Sequence, residues 1–199
     1  MWSVMRSLPV IAVCAAFLAL AGCATKPSQI NNVCAVLAQN NGWVGNWHSA
    51  ARSAQRRYGV PVPVLMATIR IESGFEQRAR PPRRKLMGFI PWKRASTAYG
   101  YSQALDGTWD EYRSATGSRL ARRTSFSDAD DFVGWYHRRS HEQNGIALND
   151  AYNLYLSYYA GHAGYRRGVW RGNSGMQAAA GRAAKMAQSY DQQLRGCRL

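Results

Sequence analysis

The clearest pattern in the chain is a run of helical apolar stripes separated by short polar breaks. Val62, Leu65, Ile69 and Glu72 fall at i, i+3, i+7 and i+10, so one stripe carries three apolar residues and then a carboxylate. Pro61 and Pro63 suit the opening turn of this helix, and Gly74 suits its end. Trp43 to Tyr58 reads as the preceding helix, with Trp47, Ala50, Ala51 and Ala54 on one face and Gly59 as the stop. Asp106 is a candidate N-cap for 107–115, which Gly117 would close. Ser127 with Asp130 resembles a capping box for a helix to about Gln143. Asn149 would cap 150–160, and Ser174 would start a last helix ending near Arg195. No stretch shows sustained strand alternation and no internal repeat is present, so the pattern predicts one mainly α domain. Residues 78–94 stand apart. Seven basic residues and three prolines exclude a regular helix there and predict a long loop.

The first residues change the picture by fixing a compartment. Arg6 precedes an uncharged apolar run from Leu8 to Leu20, too short for a spanning helix, which needs about 20 residues. A basic start, apolar middle and small-residue end describe a secretory signal. Leu20-Ala21-Gly22-Cys23 resembles the bacterial lipobox, whose Cys is acylated and becomes the new N-terminus. The expected organisation is a lipoprotein signal peptide over 1–22, a lipid-anchored tether over 23–42 and the folded domain over 43–199. Ala24 follows Cys23 where an Asp would signal inner-membrane retention, so the expected location is the periplasmic face of the outer membrane. Cys14 leaves with the signal. Cys34 and Cys197 then remain, either paired in an oxidising compartment or as two separate buried thiols. If they pair, only 24–33 is free tether, with a reach of at most about 35 Å.

Charge adds less. The chain has 26 Lys and Arg against 11 Asp and Glu, and loss of residues 1–23 removes one basic residue, Arg6. A basic protein raises nucleic acid as a partner, which the secretory signal argues against. The peptide stems of the cell wall and lipopolysaccharide phosphates are the polyanions of that compartment.

Candidate chemistry rests on three segments. Ile71-Glu72-Ser73 is followed by Tyr99-Gly100-Tyr101-Ser102-Gln103, and later by Ser157-Tyr158-Tyr159-Ala160-Gly161. Their order and spacing, over about 58–192, resemble the lytic transglycosylases with a goose-lysozyme-like fold. That family carries Glu-Ser at a helix end, then Gly-Leu-Met-Gln, then Ala-Tyr-Asn-Ala-Gly. The resemblance implies a single lysozyme-like domain and makes Glu72 the catalytic acid. It implies substrate contacts from Ser73, Gly100, Gln103 and Tyr158, and from Tyr190 on the last helix. Tyr99, Tyr101 and Tyr159 are further candidates for sugar-ring faces. Tyr101 and Ser102 stand where the family has Leu and Met, and Tyr159 stands where it has Asn.

The implied substrate is the glycan strand of peptidoglycan, with no metal or cofactor, and the sequence names no protein partner. Most glycosidases use two carboxylates. The resemblance implies one, serving first as acid and then as base and leaving a 1,6-anhydro sugar. A carboxylate on a half-buried stripe at the negative end of a helix dipole should have a raised pKa, as an acid catalyst needs. Rival readings are a hydrolytic muramidase and a non-catalytic wall-binding lipoprotein. His137, His141 and Glu142 lack the metalloprotease order and a third ligand, and no nucleophile elbow or phosphate loop is present.

Overall fold

Eight helices carry the core among the described residues, which in this computed structural model are 26–40, 46–86 and 90–198. The helices are α1 (Val33–Leu37), α2 (Trp47–Tyr58), α3 (Val62–Ser73), α4 (Asp106–Thr116), α5 (Phe126–Asn144), α6 (Ala151–Ala160), α7 (His162–Arg166) and α8 (Ser174–Leu194). The expected signal peptide over 1–22 and lipidation site at Cys23 lie outside the described residues, as do 43–45 of the expected first helix.

Helix α3 runs through the middle. Val62, Val64, Leu65, Met66, Ala67 and Ile69 are all buried, which is why it is apolar almost all round. It packs against α8 on one side and against α5 on the other. Ala179, Ala180, Ala183 and Ala187 form the buried face of α8, and side chains this small let neighbouring backbones come close. At the other end, Trp47 stacks on Phe126 at 3.8 Å, and Tyr101 meets both rings edge-on.

Several helix starts sit one or two residues from where the sequence placed them. Ser125 and Asp150 are the side-chain caps of α5 and α6, not Ser127 and Asn149, while α8 starts at Ser174 as expected, capped by Asn173. Asp106 lies within the first turn of α4 and pairs with Arg123 at 2.7 Å rather than capping. Two corrections are larger. Residues 78–94 are not a plain loop: β1 (Arg83–Leu86) and β2 (Ile90–Arg94) pair antiparallel, Lys85 opposite Pro91, with an irregularity between Arg83 and Lys85. The strands are only four and five residues long, so they carry no sustained alternation, and Pro is tolerated because a two-stranded ribbon is all edge.

The segment 23–42 is also not all tether. Val33, Val36 and Leu37 of α1 are fully buried, so the folded unit begins before residue 43. Cys34 and Cys197 form a disulfide across 163 residues with Cα atoms 5.6 Å apart. Beside it, the Val33 amide donates to Gln193 Oε1 at 2.8 Å, and the Gln193 amide donates to Asn31 O.

Candidate active site

The end of α3 is built to hold one carboxyl in place. Gly74 takes the left-handed conformation at φ 59° and its amide donates to Arg70 O, which ends the helix just after Glu72 and Ser73. Phe75 follows at φ 62° with its ring fully buried beside Trp47. A non-glycine residue in this region is strained, and the burial of its ring holds the turn. Ser73 Oγ donates to Ile69 O at 3.2 Å.

Glu72 is half-buried. Its Oε1 accepts a hydrogen bond from the Tyr155 hydroxyl at 2.7 Å. Burial pushes the Glu72 carboxyl up from 4.5 to about 7, and the Tyr155 hydrogen bond opposes that rise by favouring the charged form. No other carboxylate acts on Glu72 among the described residues, which include every Asp and Glu of the chain. The group therefore sits at the midpoint of its titration near neutral pH.

The three sequence segments close into a ring around it. Glu72 of the first bonds Tyr155, three residues before Tyr158 of the third. The Tyr158 hydroxyl donates to Ser102 O of the second. The second returns to the chain after α3: the Gly100 amide and Gln103 Nε2 both donate to Ala79 O. Burial and the Glu72 charge both raise the Tyr158 pKa, which places its ring in the field of the carboxyl. Tyr159 projects outward, 54% exposed, with its ring 6.4 Å from that of Tyr155. Tyr99 is half-buried under two guanidinium groups, Arg80 at 4.1 Å and Arg123 at 5.5 Å.

Other expected substrate contacts are taken up by the protein itself. Tyr101 is 1% exposed between Trp47 and Phe126 and is a core residue. Tyr190 is fully buried, and its hydroxyl donates to Ile30 O, fixing the N-terminal segment rather than facing a groove. Gly100 is needed for a close approach, but to protein: a Cβ there would lie 2.1 Å from Arg123 O, and φ is 74°. The Gln103 amide nitrogen is spent on Ala79 O and Gly100 O. His137 Nε2 shares a hydrogen bond with Thr68 Oγ1 at 2.9 Å, and His141 Nδ1 lies 2.8 Å from Ile146 O.

Tyr155 is the residue that the sequence reading passed over. Its signal was its spacing, since Tyr155, Tyr158 and Tyr159 at i, i+3 and i+4 share a face of α6.

A comparison with curated proteins finds no match. A family model described as the transglycosylase SLT domain matches residues 11–197. That match spans nearly the whole chain and all three segments around Glu72. The chain thus belongs to the transglycosylase SLT domain family, enzymes that cleave the glycan strands of peptidoglycan.

Proposed function

We propose that this enzyme is a lytic transglycosylase that cleaves the β-1,4 bond between N-acetylmuramic acid and N-acetylglucosamine, with Glu72 as acid and then base. One observation carries the reading: a lone carboxyl, held by Tyr155 at 2.7 Å, that burial raises to about 7. Such a group gives up and takes back a proton with little penalty in either direction near neutrality.

In the first step Glu72 protonates the glycosidic oxygen. The C1–O bond breaks with its electron pair leaving on the N-acetylglucosamine oxygen, and the muramic acid 2-acetamido oxygen assists at C1. Glu72, now a carboxylate, takes the proton of the muramic acid 6-hydroxyl as that oxygen bonds to C1. The 1,6-anhydro ring closes, Glu72 is protonated again and no water is consumed. Tyr155 steadies the carboxylate between the two steps, because its hydroxyl donates to that form. Tyr159 offers an exposed ring face for a sugar, and Ser73, at the same helix end, remains a candidate contact.

Mass spectrometry of wall digests tests this. Wild-type protein should release 1,6-anhydro muropeptides and Glu72→Gln none. Reducing muropeptides from the wild type would mean that water replaces the 6-hydroxyl, as in a muramidase. Undiminished wall cleavage by Glu72→Gln would remove Glu72 from the reaction.

The same reading makes the protein a lipoprotein, anchored through Cys23 at the periplasmic face of the outer membrane. The run Leu20-Ala21-Gly22-Cys23, directly after the apolar stretch from Leu8, supports it. Cell fractionation should find the wild type in outer membranes and Cys23→Ala outside them. An equal distribution of the two would remove the anchor.

A further inference from the structure

Next to Glu72, α3 and α8 enclose a recess of about 400 Å³ lined by Arg70, Ile71, Arg182, Lys185 and Met186. Arg182, Lys185 and Met186 stand at i, i+3 and i+4 and share one face of α8. The lining holds three cations and no acid, and none of the three is in an ion pair among the described residues. Arg70 donates to Asn31 Oδ1 at 3.1 Å, while its Nε is buried without a partner.

The recess belongs to the neighbourhood of the carboxyl. Ile71 adjoins Glu72 in sequence, and the Arg182 charge acts on the Tyr155 hydroxyl that holds Glu72. A fourth cation stands near. A Cβ at Gly74 would lie 3.6 Å from Lys26 Nζ and 3.9 Å from Arg70 Nη1. The negative end of the α3 dipole accounts for Lys26 and Arg70. It does not account for Arg182 and Lys185, which project from the body of α8. Cations that converge without counter-ions over an apolar floor of Ile71 and Met186 suit a chain that alternates carboxylates with short aliphatic groups.

We infer that this recess binds the acidic peptide stem carried by the muramic acid at the cleavage site, its cations taking the stem carboxylates and Ile71 and Met186 the aliphatic groups. The inference rests on the proposed cleavage of the glycan beside muramic acid, the sugar that bears the stem. Its consequence is specificity, in that strands with peptides are better substrates than strands stripped of them.

The test compares kcat/KM on peptide-bearing strands with kcat/KM on the same strands after an amidase has removed the peptides. The wild type should favour peptide-bearing strands by about tenfold or more, equivalent to about 1.4 kcal/mol. In Arg182→Ala/Lys185→Ala the ratio should collapse towards one. Both side chains are exposed, so folding is little at risk. Because Arg182 also acts on Tyr155, Lys185→Ala alone is the second variant and should lower the ratio by a smaller factor. A direct readout uses Glu72→Gln protein titrated with the free tetrapeptide stem, which should bind, and with its fully amidated form, which should not. Equal cleavage of both substrates by the wild type, an unchanged ratio in the variants, or equal binding of the amidated peptide would overturn the inference and leave the cleavage reading intact. Failure of the wild type to cleave either strand would instead overturn the cleavage reading.

Discussion

Burial and one neighbour, Tyr155, pull Glu72 in opposite directions, and the balance sets its working range. Burial raises the carboxyl to about 7, and Tyr155 holds it from rising further. Only the protonated form can start the reaction, so kcat/KM should fall about tenfold per pH unit above 7. Tyr155→Phe removes a donor to the charged form, which moves this alkaline limb to higher pH and lowers kcat about tenfold or more through lost positioning. A pH–rate profile of the variant checks both effects, and an alkaline limb that does not move would contradict the role given to Tyr155. The same shift has a cost in stability. The folded chain binds the Glu72 proton more tightly than the unfolded chain, so this contribution is present below about pH 4.5 and lost as pH rises to about 7. Glu72→Gln should therefore be more stable than the wild type at pH 8 by about 1–3 kcal/mol, with the difference shrinking towards pH 4. Denaturant unfolding at the two pH values measures it, and a variant no more stable at pH 8 would contradict the raised pKa.

At the level of helices and loops, what the sequence revealed depended on whether a segment buries a face. Helix α3 was legible because its apolar stripe, prolines and Gly74 all agree. The hairpin β1–β2 was not, since strands of four and five residues are too short to leave a periodic trace. Motif residues divide in the same way. Glu72 and Tyr158 were found through their spacing to neighbouring motifs, and the structure sets both at the ring of contacts around the carboxyl. Tyr101 and Tyr190 look like sugar-binding tyrosines in sequence, yet both fill the core. An aromatic ring suits either place equally, and only the path of the backbone decides. Tyr155 shows the converse, since its spacing marks only a shared face with Tyr158 and Tyr159, and its importance arises from the hydrogen bond that α6 makes to the end of α3.

Across the whole molecule, the disulfide and α1 make the two ends of the fold one unit. The loop closed by Cys34 and Cys197 spans 163 residues, and constraint of so long a loop stabilises by about 2–5 kcal/mol. On the proposed anchoring through Cys23, the folded α1 leaves only a short chain before the domain, which would hold the enzyme within reach of wall close to a membrane. A net charge of +15 would favour any polyanion, the acidic stems of the wall among them. The family directs the chain to glycan strands, but it does not say what closes the reaction. The scheme with one carboxyl makes a definite demand, that no oxygen from solvent enters the product. Digestion of purified wall in ¹⁸O-water, followed by mass spectrometry of the released muropeptides, reads this directly. The account predicts 1,6-anhydro products without the heavy isotope; reducing products carrying one ¹⁸O at the anomeric position would contradict it.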